Sequence, residues 1–480
     1  MRTAGGVISV GQRAAGGVGQ RAAGGVGPYL TKRRRRVKIQ TIYKRAVEIM
    51  ICSNITRDAD GTLRFAGQSV PALAEQYGTP LYLMDEDRVR FNCRMYRKAL
   101  RDSFGDAALP LYASKACSFK QMYRIMAEEG MGVDTVSCGE IHTALAAGFP
   151  AERIWFHGDG KTDADIRYAV ERRVGRFIVD NETELLALAA EAERQGVKQK
   201  ILLRVTPGID PHTFEAVNTG TVDVKFGVAI QTGQALELVR LALAQDAVEL
   251  EGIHCHVGSM VFDESVFEDS AEIMLGFIAE MKEKLGFEAK VLNLGGGYGV
   301  RYTEKDKHVD IPARIAALAD FIKTRCAALG IKVPMLLLEP GRSIAADAGM
   351  TVYTVSTVKH IPNCKNYVIV DGGMADNPRW CLYRAAYTVL HAQRGGGETE
   401  LFTLAGRCCE SGDIVQPNVP LPADVRRGDT VCVCTTGAYN YSMASNYNRL
   451  GRPPVVMLRG GESYIAVRRE TAEDLCALDL

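Results

Sequence analysis

Leu111-Tyr112-Ala113-Ser114-Lys115 is a short apolar run that closes on a lysine, and its pattern recurs along the chain. Comparable runs follow at Val133–Ser137, Ile154–Gly158, Phe177–Asp180, Ile201–Val205, Gly252–Val257, Val291–Gly295 and Leu336–Glu339. Between most of them lie segments with helical periodicity, among them Phe119–Glu129, Glu140–Ala147, Glu182–Gln195 and Ile311–Leu329. Eight strand–helix alternations predict a (β/α)8 barrel in the α/β class. An open doubly wound sheet is the competing arrangement. It is disfavoured because no Gly-x-Gly-x-x-Gly follows an early strand, and eight units is the number that closes.

Beyond residue 345 the helical periodicity fades. Thr351–Val358, Tyr367–Val370, Glu400–Leu404, Thr430–Cys434, Val455–Leu458 and Tyr464–Arg468 read as strands between Gly/Pro turns. These predict a C-terminal β-rich domain, a sandwich or barrel. The segment before the barrel contains another strand, Leu81–Met84, and is expected to join it. The expected organisation is a barrel over 87–345 and a β-rich domain built from 51–86 and 346–480.

Residues 1–49 differ from the rest. Gly-Gln-Arg-Ala-Ala-Gly-Gly-Val occurs at 11–18 and again at 19–26, and Lys32-Arg33-Arg34-Arg35-Arg36 follows. A repeat this rich in glycine cannot bury a core, so disorder is expected. A transit peptide, a nuclear signal or a nucleic-acid tail are the other readings of so basic a segment. A translation start at Met50 would leave a complete protein. Eleven Lys/Arg against one acid, Glu48, give this segment +10; with +1 for the whole chain, the remainder carries −9. A body that acidic is a poor nucleic-acid binder.

Hydrophobic residues make up 47% of the chain, enough for a large core. No apolar run approaches the roughly 18 residues of a membrane span. The 13 cysteines show no paired CxxC spacing, so no zinc site is expected. They read as reduced thiols, most of them small core residues, in a cytoplasmic protein, with plastid or other targeting by 1–49 left open.

A barrel places its active site where its strands end. Those ends carry Lys115, Ser137, Arg204, His254 and His256 with Gly258-Ser259, Gly295-Gly296-Gly297, and Glu339-Pro340-Gly341-Arg342. Phosphate commonly binds after strands seven and eight, where the triple glycine and Arg342 fall. Lys115 lies among small and apolar residues; partial burial is expected to lower its pKa and favour imine formation. A phosphate site beside such a lysine suggests pyridoxal 5'-phosphate. Glu339 is suited to a pyridine nitrogen, or else pairs with Arg342. His256 stacks on a ring, or else is a hydrogen-bonded core histidine.

Together with Cys409-Glu410-Ser411-Gly412-Asp413 and Gly437-Ala438-Tyr439, these motifs resemble the fold-type III pyridoxal-phosphate decarboxylases, which act on ornithine, arginine or diaminopimelate. The resemblance spans roughly residues 51–475. It implies an alanine-racemase-like barrel and a homodimer with shared active sites. Lys115 would carry the cofactor and His256 would stack on it. Glu339 would bind the ring nitrogen. Ser259, Gly295, Gly296, Gly297, Gly341, Arg342 and Tyr439 would hold the phosphate. Cys409 would come from the partner subunit and return a proton to the substrate Cα.

The stretch Val370-Asp371-Gly372-Gly373-Met374-Ala375-Asp376-Asn377-Pro378-Arg379 and the glutamate after Cys409 look like the diaminopimelate branch. That resemblance implies decarboxylation of meso-2,6-diaminopimelate to L-lysine and CO2, the last step of lysine biosynthesis. Arg342, Arg379 and Tyr383 would bind the substrate's distal carboxylate, Glu410 would bind its distal ammonium, and Tyr439 would also contact the substrate. Trp380 stands where proline is usual, and Asp159 where asparagine is frequent. The alternatives are a decarboxylase for ornithine, arginine or a D-amino acid, and an inactive regulatory homologue. No metal and no membrane partner are expected.

Overall fold

The eight predicted runs form a closed ring of parallel strands in the computed structural model, which describes residues 50–209 and 223–480. The low-complexity extension expected over 1–49 lies outside the described residues. In ring order the strands are Ala108–Ala113, Gly132–Thr135, Ile154–Phe156, Arg176–Val179, Gln199–Thr206, Val248–His254, Val291–Asn293 and Met335–Leu338. The last pairs with the first, Leu338 opposite Pro110, and closes the barrel.

Side chains alternate across a strand, so every second residue faces the barrel axis. Leu111, Trp155, Ile178, Leu202, Val291 and Leu337 pack there as one apolar layer. Strand two supplies Gly132, where a Cβ would collide with Leu111 and the Trp155 ring, so the indole fills the axis. Two residues further along their strands stand Asp134, His157, Asp180, Arg204, His254, Asn293 and Glu339. An apolar plug at the bottom and a polar layer at the mouth follow from one period-two pattern.

The helices begin on residues suited to accept their first free amides. Ser137 accepts from Glu140, Asn181 from Glu184, and Asp310 from Ala313. Ser137, a strand-end candidate, is therefore a helix cap, because strand two stops at Thr135. Strand one likewise stops at Ala113, and Lys115 lies in a single 3-10 turn, Ser114–Ala116.

The second sheet runs in the order Ile414–Pro422, Thr399–Ala405, Asn366–Val370, Gly349–His360, Leu81–Asp85, Val455–Arg459, Glu462–Val467. The 12-residue strand Gly349–His360 is its spine: its start pairs with Leu81–Asp85 and Thr430–Cys434, its end with Asn366–Val370. Residues 55–69 form a small sheet of their own, whose Leu63 and Phe65 pack on Met350, Val352 and Cys432. The short strands of the 55–69 sheet and Val228–Ala229 escape sequence reading, and so do two strands of the β-rich part. Ile414–Pro422 holds Pro417, Pro420 and Pro422 and is an edge strand, the place where missing donors are tolerated. Val389–His391 is too short to show a period.

Candidate active site

Lys115, His256, Ser259, Gly297, Glu339, Gly341, Arg342 and Tyr439 line one cavity at the mouth of the barrel, about 400 Å³ in volume. Asp134, which sequence reasoning missed, lines it too. Lys115 stands at its centre, its side chain 43% exposed and its Nζ 3.9 Å from Asp134 Oδ2. The expected fall in its pKa does not occur. Burial alone would lower it, but the carboxylate of Asp134, with Tyr439 and Glu339, outweighs burial and holds the ammonium above the ordinary lysine range.

Glu339 is buried against three groups, from the ends of strands three, six and seven. Asn293 Nδ2 donates to it at 2.7 Å, His157 Nε2 lies 3.0 Å away and His254 Nε2 3.4 Å away. Burial opposes its charge, but the two imidazoles prevail and hold the carboxyl well below the usual range. Burial pushes His254 down to about 4, so it is neutral at physiological pH. The alternative pairing of Glu339 with Arg342 is not formed. Arg342 instead donates to Ser259 Oγ at 3.0 Å and to the Tyr302 hydroxyl at 2.8 Å.

The glycines are required by close backbone approach. A Cβ on Gly296 would collide with the Glu339 carbonyl, one on Gly297 with the Gly258 carbonyl, and one on Gly341 with Ala113 and Ala116 beside Lys115. The ends of strands six, seven and eight can draw together only because these positions are bare. Two of the amides already have partners: Gly295 N–H donates to Asn293 Oδ1 at 2.9 Å, and Gly296 N–H to His256 Nδ1 at 3.2 Å. The second bond fixes His256 Nδ1 as an acceptor. Burial holds its ring well below the ordinary histidine range, so the neutral ring carries its proton on Nε2.

Tyr439 joins this cavity to the β-rich part. Its backbone is left-handed, φ 60°, and its N–H donates to the Ala116 carbonyl at 2.7 Å. Arg342 lies over one side of its ring at 4.6 Å, and Arg379 lies 5.5 Å from the ring centre and 5.3 Å from that of Tyr383. Both arginines are buried, 6% and 7% exposed, and among the described residues neither has a carboxylate within ion-pair distance. Arg379 Nε is buried without a partner. Tyr302 and Tyr387, also missed from sequence, complete this wall edge to face. Two desolvated guanidiniums among tyrosines form a site for an anion.

Trp380 and Cys381 fall in the short helix Arg379–Tyr383 without displacing Arg379 from its buried place. Asp159 pairs with Lys225 at 3.0 Å. Cys409 and Glu410 do not line the cavity. Both are exposed, in a loop where Cys409 N–H donates to Asn448 Oδ1 at 2.7 Å.

The residues fit a pyridoxal group. A lysine lines the cavity with a buried ionised carboxylate, a glycine turn follows strand seven and a buried arginine follows strand eight. The family described as "Pyridoxal-dependent decarboxylase, pyridoxal binding domain" matches residues 86–346. The diaminopimelate decarboxylase of Bacillus subtilis (strain 168) is 42% identical over 421 residues, 88% of this chain and 95% of the relative. That of Staphylococcus aureus (strain COL) is 40% identical over 422 residues, 88% and 98%. The crystal structure of diaminopimelate decarboxylase from M. jannaschii in complex with L-lysine superposes with a TM-score of 0.82 at 32% identity, covering 90% of this chain and 99% of that one. On this barrel, this site and these likenesses, the chain belongs to the pyridoxal-dependent decarboxylases, in the diaminopimelate decarboxylase family.

Proposed function

We propose that the protein converts meso-2,6-diaminopimelate to L-lysine and CO2, with pyridoxal 5'-phosphate held on Lys115. The substrate is read from two buried, carboxylate-free guanidiniums, Arg342 and Arg379, 4.6 and 5.5 Å from the Tyr439 ring centre. A substrate with a second carboxylate satisfies them. With Arg342 also meeting the cofactor phosphate, ornithine, which ends in an ammonium alone, would leave Arg379 unpaired.

Lys115 would hold the cofactor covalently, Glu339 would accept from its ring nitrogen, and His256 would lie on its face. Ser259, Arg342, Tyr439 and the Gly295–Gly297 turn would meet its phosphate. When bound, the cofactor supplies an electron sink for the pair released as the Cα–COO⁻ bond breaks. The chain's own groups do the rest. Asn293 and His157 keep Glu339 aimed and ionised. Arg379 and Tyr383 anchor the distal carboxylate and so fix which carboxylate stands over the cavity. Cys409 Sγ gives its proton to Cα, an acid step worth on the order of 10²–10⁴-fold.

Cys409 and Glu410 are surface residues of their own chain. We assign them to the cavity of a second copy, where Glu410 meets the distal ammonium; the enzyme is then a homodimer. The same reading divides the chain into a cofactor-binding barrel, 87–345, and a β-rich domain, 51–86 with 346–480, whose loops reach the partner. Among the described residues no helix is long and apolar enough to cross a membrane, and a cytoplasmic enzyme is the reading adopted.

The test is CO2 release by the pyridoxal-loaded protein from meso-diaminopimelate, ornithine and arginine in parallel. Release from diaminopimelate with stoichiometric L-lysine is expected. Preference for either other substrate contradicts the substrate assignment, and inactivity on all three supports a regulatory homologue.

A further inference from the structure

Two segments that the proposed reaction needs meet at one buried carboxylate outside the cavity. Asp413 is 3% exposed. Its Oδ1 accepts the Met374 N–H at 2.6 Å, and its Oδ2 accepts the Cys408 N–H at 2.7 Å. Met374 lies in the turn that leads into the Arg379–Tyr383 helix, and Cys408 immediately precedes Cys409. The carboxylate fits because both neighbouring backbones are bare. A Cβ on Gly373 would lie 2.6 Å from both its oxygens, and one on Gly406 would collide with those oxygens and with the Gly373 Cα.

Other bonds tie the same segments together. Arg407 N–H donates to the Gly372 carbonyl at 2.9 Å. The Cys381 thiol, inside the Arg379 helix, donates to the Gly412 carbonyl at 2.9 Å. A strap reaches both sides: Ser445 N–H donates to the Ala375 carbonyl at 2.8 Å, and Asn448 Oδ1 accepts from Cys409 N–H at 2.7 Å. Exposed loops ordinarily move independently. These two are bonded into one unit.

We propose that Asp413 is a positioning residue that holds the Arg379 loop and the Cys409–Glu410 loop in one register, setting the grip on the distal carboxylate and the placement of the proton donor together. The inference rests on the function proposed above, in which Arg379 serves its own chain's cavity and Cys409 the partner's. A single carboxylate in each subunit then links the two active sites of the dimer.

The test is Asp413→Asn in the pyridoxal-loaded dimer. Asparagine keeps the volume but turns an NH2 towards one of the two N–H donors, breaking one tie. A misplacement of about 1 Å costs on the order of 10²-fold, so a fall in kcat and a rise in KM of about tenfold each are expected. Mixed dimers of Lys115→Ala and Cys409→Ala chains separate the two effects, because they hold one site with both groups intact. Asp413→Asn on the Lys115→Ala chain, which lends Cys409 and Glu410, is expected to lower kcat more than it raises KM. On the Cys409→Ala chain, which grips substrate, it is expected to raise KM.

Unchanged kcat and KM in the Asp413→Asn dimer overturn the proposal. So does an equal loss in both parameters from either chain, the mark of a merely structural role. If mixed dimers stay inactive, the shared-site reading fails, and the kcat and KM of the Asp413→Asn protein alone decide the positioning role. If that variant does not assemble, two milder cuts decide. Asn448→Gly keeps the left-handed backbone, φ 53°, and removes the Cys409 tie; it is expected to lower kcat more than it raises KM, because Glu410 shares that loop. Cys381→Ala is expected to raise KM alone. No change in either overturns the proposal.

Discussion

Arg379 holds its charge in a buried place among tyrosines, with Nε unpartnered. Lysine there keeps the charge and loses the planar fork that matches a carboxylate. Arg379→Lys is expected to lower kcat/KM for diaminopimelate about 10- to 100-fold, the worth of one charged hydrogen bond, with the visible cofactor band intact; loss of that band instead would place Arg379 on the cofactor. Asp376, in the same loop, accepts from Gly373 N–H at 2.9 Å and from the Tyr353 hydroxyl, and burial pushes it up to about 7. Its folded value exceeds the unfolded value of 3.8, so between these the folded chain keeps a proton that the unfolded chain releases, and stability falls as pH rises. Asp376→Asn mimics the protonated form. Its Tm advantage over the parent is expected to grow from pH 4 to pH 8, and parallel Tm curves would contradict the buried titration. The motif residues of the cavity were legible because glycine clusters and a lysine at a strand end stand out. Asp134, His157 and Asn293 were not, because each is an ordinary polar residue inside an apolar run and belongs to no recognisable motif. Their signal is the period of two: each follows an axis-facing Gly132, Trp155 or Val291 by two positions.

At the scale of elements, the barrel is held shut at its mouth by glycine. Gly296 faces the Glu339 carbonyl, which cannot yield as a flexible side chain would. Gly296→Ala is expected to destabilise the fold by about 3 kcal/mol and to weaken cofactor retention, both read by thermal unfolding with and without pyridoxal phosphate. A fully stable variant would mean that strands seven and eight can separate freely. All eight barrel strands were legible, since alternating strands and helices repeat a strong pattern. The turn carrying Lys115 was not, because a 3-10 turn of three residues has no period of its own. The proline-bearing edge strand Ile414–Pro422 shows the opposite failure: local chemistry argues against a strand that tertiary pairing with Thr399–Ala405 supplies.

For the whole molecule, the barrel and the β-rich sheet could be read from the change in periodicity near residue 345, whereas the proposed pairing of two copies rests on the family resemblance alone. Nothing in a single sequence marks a surface that would receive the exposed Cys409 and Glu410. If the site is shared, specific activity follows the dimer fraction and falls on dilution. Activity unchanged in a demonstrated monomer would contradict the sharing. Borohydride trapping locates the lysine that bears the cofactor, which is expected to be Lys115. Reduction of the purified, pyridoxal-loaded protein, then digestion and mass mapping, should place one phosphopyridoxyl group on Lys115, with none recovered from Lys115→Ala. The label on another lysine, or none on the parent protein, would contradict the account.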